Sequence, residues 1–119
     1  MARKTNPPAS DLSRKKCVAC EGGVPALGPP EIEKLMPQVR GWRVSRGKLV
    51  RHVEFDDFLT LMDFVNDLAQ IAEREGHHPD FSVHYNKLDL EIWTHAIDGL
   101  SENDFILAAK ITELLGDRD

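Results

Sequence analysis

Long apolar runs and an excess of positive charge are both missing from this chain of 119 residues. No apolar stretch approaches the ~20 residues that a helix needs to cross a bilayer, so we do not expect a membrane protein. The amino terminus lacks the apolar core of a secretory signal, and we therefore expect a cytoplasmic setting. The formal net charge is −5. An acidic protein offers no basic footprint for phosphate groups, which argues against direct nucleic-acid binding.

Cysteine is also scarce, with only Cys17 and Cys20 present. A structural zinc site usually takes four ligands from two such pairs, and the chain has no second pair. A thioredoxin-like redox motif would open a helix, whereas Gly22-Gly23 and Pro25 follow here. We predict two reduced thiols in a loop, and a zinc ion or disulfide shared between subunits is the less favoured alternative.

The length of the chain allows one domain with one core. Residues 1–28 carry five basic and two acidic side chains, so the rest of the chain is more acidic than the net charge suggests. The first residues are rich in Pro, Ser and Asn, a composition that favours disorder. We predict a disordered basic tail over residues 1–16 and a single folded domain over residues 17–119.

Two segments, residues 81–85 and 88–95, alternate apolar and polar side chains, which predicts the strands of a β-hairpin. Asn86-Lys87 would form a two-residue loop between them, because Asn tolerates a left-handed backbone. This register pairs Tyr85 with Leu88 and, extended to the open end, places His78 opposite His95. The apolar side chains of both strands would face the core: Phe81, Val83, Tyr85, Leu88, Leu90 and Ile92.

The other elements are marked by proline, by capping residues and by glycine after a last helical turn. The predicted order is a helix from Pro29 to about Pro37, a hairpin over residues 42–55, a helix from Asp56 to Gly76, the hairpin of residues 81–95, and a helix from Ser101 to Gly116. Antiparallel hairpins separated by helices predict an α+β fold. We expect a four-stranded antiparallel sheet with three helices on one face.

Three of the five histidines, His77, His78 and His95, lie in or beside the second hairpin. Histidine exchanges protons near neutral pH, so such a cluster indicates proton-transfer chemistry or metal ligation. Glu73 lies on the last turn of the preceding helix, where it could fix the tautomer or charge of a neighbouring histidine. A simpler interpretation stays open, because histidines at a helix end also interact favourably with the helix dipole, and Glu73 could be a solvated surface residue.

Trp93 and Asp104 are two further candidates for the site. Trp93 lies on the face of its strand away from the core, where it could stack on a flat ring or form a subunit contact. Asp104 follows the helix cap Ser101 by three residues, and this capping box needs no other function. His52 and His84 alternate onto polar strand faces, and we interpret both as surface residues.

One spaced set of residues stands out: Glu73, His77-His78-Pro79, Tyr85-Asn86, Thr94-His95, Gly99-Leu100 and Asp104. This set resembles the motif of the pterin-4a-carbinolamine dehydratases. The resemblance runs from about Cys17 to the carboxyl terminus and includes the Gly41-Trp42 pair. Two positions depart from the family pattern: Ala96 stands where an acidic residue is frequent, and Trp93 replaces a smaller residue.

The resemblance implies a lyase that dehydrates a 4a-hydroxytetrahydropterin to a quinonoid dihydropterin and water, in tetrahydrobiopterin recycling, without a metal or other cofactor. It implies the same architecture and a homodimer or homotetramer. His78 would be the general acid–base residue nearest the departing hydroxyl, and His77 and His95 would orient the pterin or take the second proton. Three residues would bind or orient the substrate: Glu73, Trp93 and Asp104.

Two alternatives to the dehydratase remain open. One is a non-catalytic interaction module acting as a transcription cofactor, because a family member also stabilises the dimer of a transcription factor. The other is a metal site built from Glu73 and the three histidines, since three histidines suit catalytic zinc. Adjacent histidines in a chain seldom both reach one ion, so no metal is predicted.

Overall fold

A computed structural model describes residues 11–17 and 25–116 of the chain. Its described residues form four strands: β1 (Arg43–Ser45), β2 (Lys48–Glu54), β3 (Asp80–His84) and β4 (Lys87–Ile92). They make one sheet with the order β1-β2-β4-β3, and every neighbouring pair is antiparallel. The predicted α+β fold with a four-stranded antiparallel sheet is therefore confirmed.

The described residues also form four α-helices: α1 (Asp11–Arg14), α2 (Pro29–Leu35), α3 (Phe58–Glu75) and α4 (Glu102–Leu115). Short 3-10 turns follow α2 and β4, at Met36–Gln38 and His95–Ile97. Within residues 11–17 and 25–116, no helix is both long enough and apolar enough to span a bilayer.

One face of the sheet forms the core together with the helices. In β4, burial alternates along the strand, and Leu88, Leu90 and Ile92 are at most 1% exposed. Leu49 and Val53 of β2 are fully buried in the same cluster. Helix α4 adds buried apolar side chains to it: Phe105, Ile106, Leu107, Ala108 and Ile111. Each of the larger side chains contributes about 1.5–3 kcal/mol by leaving water, so the sheet and α4 form a stable support for the loops at their ends.

The β3–β4 hairpin has a different register from the predicted one. Its loop is Tyr85-Asn86, and His84 pairs with Lys87. Tyr85 takes the left-handed conformation, with φ 54°. The cause is tertiary: the side chain of Asn86 donates to the carbonyl of Phe55, and the Phe55 N–H donates to the Asn86 carbonyl, both at 2.8 Å. These bonds hold Asn86 against the end of β2 and place the loop at Tyr85-Asn86 instead of the predicted Asn86-Lys87.

Two consequences of this register correct the sequence analysis. Tyr85 is 67% exposed and does not belong to the core, and Phe81 is 45% exposed. Strand pairing ends at Asp80 and Ile92, so His78 and His95 do not form a cross-strand pair. The cross-strand partner of each residue differs from the predicted one by two positions. An even shift does not turn a strand over, so Val83, Leu88, Leu90 and Ile92 keep their predicted face of the sheet.

Helix α3 begins one residue later than predicted. Asp57, not Asp56, is the N-cap, and its carboxylate accepts a hydrogen bond of 2.7 Å from the Thr60 N–H. The buried face of α3 excludes Leu59, which is 71% exposed. It consists of Leu61, Phe64, Leu68 and Ala72. Gly76 ends the helix in the left-handed region, with φ 65°, as the sequence predicts.

The amino-terminal segment, residues 11–17, is folded against the domain. Leu12 of α1 is 2% exposed and belongs to the core, and α1 packs on α4. The predicted tail over residues 1–16 is therefore corrected for residues 11–16, because Leu12 supplies an apolar anchor that the composition of the segment obscured. Residues 1–10 and Cys20 lie outside the described residues. Among the residues that the structure describes, Cys17 is a buried, free cysteine.

Candidate functional site

His77 is placed by the end of α3. The Gly76 turn redirects the chain after the helix, and the His77 N–H donates to the Ala72 carbonyl at 3.2 Å. The imidazole then reaches α4, where Nε2 lies 2.6 Å from Oδ1 of Asp104. The side chain of His77 is 15% exposed and that of Asp104 is fully buried.

Asp104 is satisfied on both of its oxygens. Oδ2 accepts hydrogen bonds of 2.8 Å from the Ser101 N–H and from the Thr94 hydroxyl. Since the Thr94 hydroxyl has one hydrogen, the 2.9 Å contact between Thr94 and Ser101 is donated by Ser101. An ionised carboxylate accepts all three of these bonds and can only accept from His77. This arrangement places a proton on Nε2 of His77 and leaves Nδ1 for other chemistry.

His78 has a carboxylate partner of its own, in a different environment. Its Nε2 lies 2.7 Å from Oε2 of Glu73, on the last turn of α3. Both side chains are open to solvent, at 59% and 78% exposure. Exposed ion pairs contribute little to stability and are screened by salt. Glu73 can therefore orient the imidazole of His78 while the ring stays in contact with water.

His95 and Trp93 lie against each other at the end of β4. Their ring centroids are 3.9 Å apart with an interplanar angle of 30°, which is a stacked contact. Nζ of Lys48 lies 4.7 Å from the centroid of the Trp93 ring. The indole N–H of Trp93 makes a long, 3.4 Å hydrogen bond to Asp80 at the start of β3. Trp93 thus joins the two chain segments that carry the histidines.

The six predicted site residues fall into three contacting pairs: His77 with Asp104, His78 with Glu73, and His95 with Trp93. Thr94 connects the first and third pairs, because it donates to Asp104 and directly precedes His95. No role was predicted for Thr94, Lys48 or Asp80. Of the three, only Thr94 carried a signal in the sequence, which is a hydroxyl side chain next to a motif histidine.

The remaining histidines lie elsewhere. His52 and His84 are exposed, as predicted. His52 makes a 2.7 Å contact with Asp89 across the β2–β4 pair. Among residues 11–17 and 25–116, no group of three or more His, Cys, Asp or Glu side chains is arranged to hold a metal ion. His77 and His78 each face a different carboxylate, so the predicted alternative of a shared metal site is not assembled in this part of the chain.

Histidine–carboxylate pairs beside the β3–β4 hairpin of an antiparallel sheet define the class of this protein, and comparison with known proteins defines its family. The model of the family described as pterin 4 alpha carbinolamine dehydratase matches residues 25–114. The chain belongs to this family.

Two curated relatives and one solved structure illustrate the likeness. A protein of Rickettsia canadensis is 50% identical over 102 residues, covering 84% of this chain and 94% of its own. One from Nitrosospira multiformis is 49% identical over 104 residues, covering 87% and 92%. Both are named "Putative pterin-4-alpha-carbinolamine dehydratase". A crystal structure from Brucella melitensis, named a transcriptional coactivator/pterin dehydratase, has a TM-score of 0.73 and 30% identity, covering 76% of this chain and 99% of that one.

Proposed function

We propose that this protein dehydrates a 4a-hydroxytetrahydropterin to a quinonoid dihydropterin and water by histidine acid–base catalysis, as a step in tetrahydrobiopterin recycling. Membership of the family supports the reaction class. The observation that carries the mechanism is the contrast between two neighbouring histidines. His77 is bound to a buried carboxylate, whereas His78 is bound to an exposed one.

The reaction needs one proton given and one proton taken. The hydroxyl on carbon 4a leaves as water after it is protonated, and its C–O bond breaks. The adjacent ring nitrogen loses its hydrogen, and the electron pair of that N–H bond forms the new carbon–nitrogen double bond. No electrons are gained or lost overall. General acid–base assistance of this kind contributes about 10²- to 10⁴-fold in rate.

His78 is our candidate for the general acid that protonates the departing hydroxyl. Its exposed ring is open to a ligand, and the Glu73 carboxylate lies 2.7 Å from its Nε2. To act as an acid, the imidazole must carry a proton on each nitrogen. In that form the ring donates from both nitrogens, one to Glu73 and the other to the substrate. Glu73 therefore orients the acid.

His77 is our candidate for the second histidine, which orients the pterin or takes the proton from its ring nitrogen. The Asp104 carboxylate holds the proton of His77 on Nε2, so Nδ1 of the neutral ring is an acceptor. His95 would act as a further orienting group. Its stacking on Trp93 fixes the plane of its ring at the rim of the site. A flat pterin ring would then meet flat side chains along one wall.

The direct test is a dehydratase assay with a freshly generated 4a-hydroxytetrahydropterin, with spontaneous dehydration subtracted. We expect catalysed turnover that is unchanged after exhaustive chelation, because the proposed steps use only protons. An absence of catalysis above the spontaneous rate would refute the proposal. Loss of activity on chelation, restored by one particular divalent ion, would favour the metal site instead.

The interaction module is a second candidate, because the name of the Brucella structure joins a coactivator role to the dehydratase role. The presence of His77, His78 and His95 favours the enzyme in this chain, since an interaction role places no demand on their carboxylate partners. The two candidates separate in the same assay: an interaction module without catalysis would leave the spontaneous rate unchanged.

A further inference from the structure

Cys17 touches both chain segments that carry the His77–Asp104 pair. Its backbone N–H donates to Oε1 of Glu75 at 2.8 Å, and its thiol contacts the carbonyl of Asn103 at 3.6 Å. Glu75 is the last residue of α3 and lies two positions before His77. Asn103 directly precedes Asp104 in the first turn of α4. One buried residue of the amino-terminal segment therefore bridges the end of one helix and the start of another.

Glu75 is the centre of this bridge and is largely buried, with a side-chain exposure of 10%. Nζ of Lys110 on α4 lies 3.7 Å from its Oε2, and Nζ of Lys16 lies 4.0 Å away. Burial works to raise the pKa of Glu75, but the Cys17 N–H and the two lysines outweigh it and hold the pKa below its usual value. Glu75 thus stays ionised where a carboxylate without partners would be strongly disfavoured.

Residues 12–17 have further bonds to α4. The Ser13 hydroxyl donates to Glu113 at 2.7 Å, and Lys110 donates to the Ser13 carbonyl at 2.9 Å. Lys16 donates to the Arg74 carbonyl at the end of α3. The segment therefore contacts α4 from α1 onward, and it reaches the end of α3 at Lys16 and Cys17.

We infer that residues 12–17 clamp the end of α3 to the start of α4, and that Glu75 is a positioning residue that sets the geometry of the His77–Asp104 pair. This inference rests on the proposed function, since it assigns the clamp a role in turnover. Because the His77–Asp104 bond spans these two segments at 2.6 Å, a small displacement of either one breaks it. A misplacement of about 1 Å at a catalytic group can lower the rate by up to about 10²-fold.

The test compares two substitutions that differ in one feature. Glu75→Ala and Glu75→Gln both remove the charge that faces Lys110, but only Gln keeps an oxygen that accepts from the Cys17 N–H. We expect Glu75→Ala to lower kcat by about ten-fold with KM changed less than about two-fold, and Glu75→Gln to recover most of kcat. Melting temperatures of both variants are measured to show that each is folded at the assay temperature.

A second measurement does not depend on activity. The Nε2 proton of His77 lies in a short bond to Asp104 and should give a downfield imidazole N–H signal in proton NMR. We expect this signal in the wild type and in Glu75→Gln, and its broadening or loss in Glu75→Ala. Asp89→Asn is the control, because it removes only an exposed ion pair, with His52 across the β2–β4 pair, outside this segment. It should change neither kcat nor the signal.

The outcomes separate the clamp from simple stabilisation. Equal losses of kcat in Glu75→Ala and Glu75→Gln, following their melting temperatures, would overturn the inference, as would wild-type kcat in Glu75→Ala. If Glu75→Ala does not fold, Cys17→Ala tests the same bridge through its contact with Asn103, with an expected loss of about two- to three-fold. An inactive wild type that still shows the downfield signal would refute the proposed function and leave the NMR test of the clamp intact.

Discussion

Thr94 donates a hydrogen bond of 2.8 Å to Asp104, and through this bond a single buried carboxylate holds two parts of the site. The other oxygen of Asp104 faces His77, which follows α3, whereas Thr94 directly precedes His95, which follows β4. Asp104 therefore holds one histidine directly and the other through the residue that precedes it. Any change at Asp104 should affect both of them together.

Replacing His78 with Ala should lower turnover by at least about ten-fold, since it removes the proposed general acid. The fold should persist, because the ring is 59% exposed and contributes little packing. Turnover and the thermal melting curve are the measurements. His84→Ala is the control, because His84 is an exposed histidine of β3 outside the site. Wild-type turnover in His78→Ala would show that the acid is another group.

Asp104→Asn should reverse the tautomer of His77. The Asn oxygen would remain with the two donors on its Oδ2 side, Ser101 N–H and the Thr94 hydroxyl, so its amide N–H would face His77. Nε2 of His77 would then accept, and the ring proton would move to Nδ1. We expect turnover to fall by about 10²-fold and stability by about 1–3 kcal/mol, measured by kinetics and urea unfolding.

Nitrogen-15 NMR of the histidine rings reports the tautomer directly in the Asp104→Asn variant. An unchanged His77 tautomer together with unchanged turnover would contradict the assigned role of Asp104. Glu102→Gln, in the same helical turn but exposed, is the control and should leave both measurements unaltered.

Cys17 should make stability fall in alkaline solution. Burial, followed by the nearby Glu75 carboxylate, raises the pKa of the thiol from 9.0 to about 12. The thiol therefore stays protonated in the folded protein while it ionises in the unfolded chain. Its contribution to stability is complete below pH 9 and is lost as the pH rises toward 12, by at most about 1.4 kcal/mol per pH unit.

Urea unfolding near about pH 8 and about pH 10.5 tests this alkaline loss. The background is Cys20→Ser, so that Cys17 is the one thiol that titrates. Cys17→Ala in the same background should lose less stability between the two pH values than its parent. If parent and variant lose the same amount, the Cys17 thiol is not protected from ionisation by the fold.

The edges of the sheet predict self-association. β1 and β3 are the outer strands, and each exposes a large apolar side chain, Val44 at 41% and Phe81 at 45%. Unpaired strand edges of this kind commonly pair with another chain. Sedimentation at micromolar concentration should show at least twice the 13.4 kDa chain mass, and Phe81→Lys should shift the protein toward monomer. A fully active wild-type monomer across that range would contradict the prediction.

The order of elements and the ends of α3 and α4 followed from local signals in the sequence. Gly76 and Gly116 end their helices as predicted, because a glycine with positive φ after the last turn is a property of the local backbone. The hairpin loop could not be obtained in this way. Tyr85 occupies a left-handed position because Asn86 is bonded to Phe55 at the end of another strand, and no pattern within the hairpin records that contact.

The candidate site was predictable in its members and only partly in its geometry. The contact of Glu73 with His78 follows from the geometry of one helix end, whereas the contact of His77 with Asp104 joins two helices across the fold. The capping box explained Asp104 locally and gave no sign that its second oxygen serves His77. The burial of Leu12 was missed for the same reason, since its partners lie on distant elements.

The unequal exposure of His77 and His78 also affects how the proposed catalytic groups would regain their starting protonation between turnovers. In the proposed reaction, one group ends with a proton too many and another with one too few. An imidazole in open contact with water re-equilibrates with the surrounding buffer, so the spent acid needs no chain of internal groups to restore it. In the proposed mechanism, the spent His78 therefore needs no proton wire and recovers its proton from bulk water.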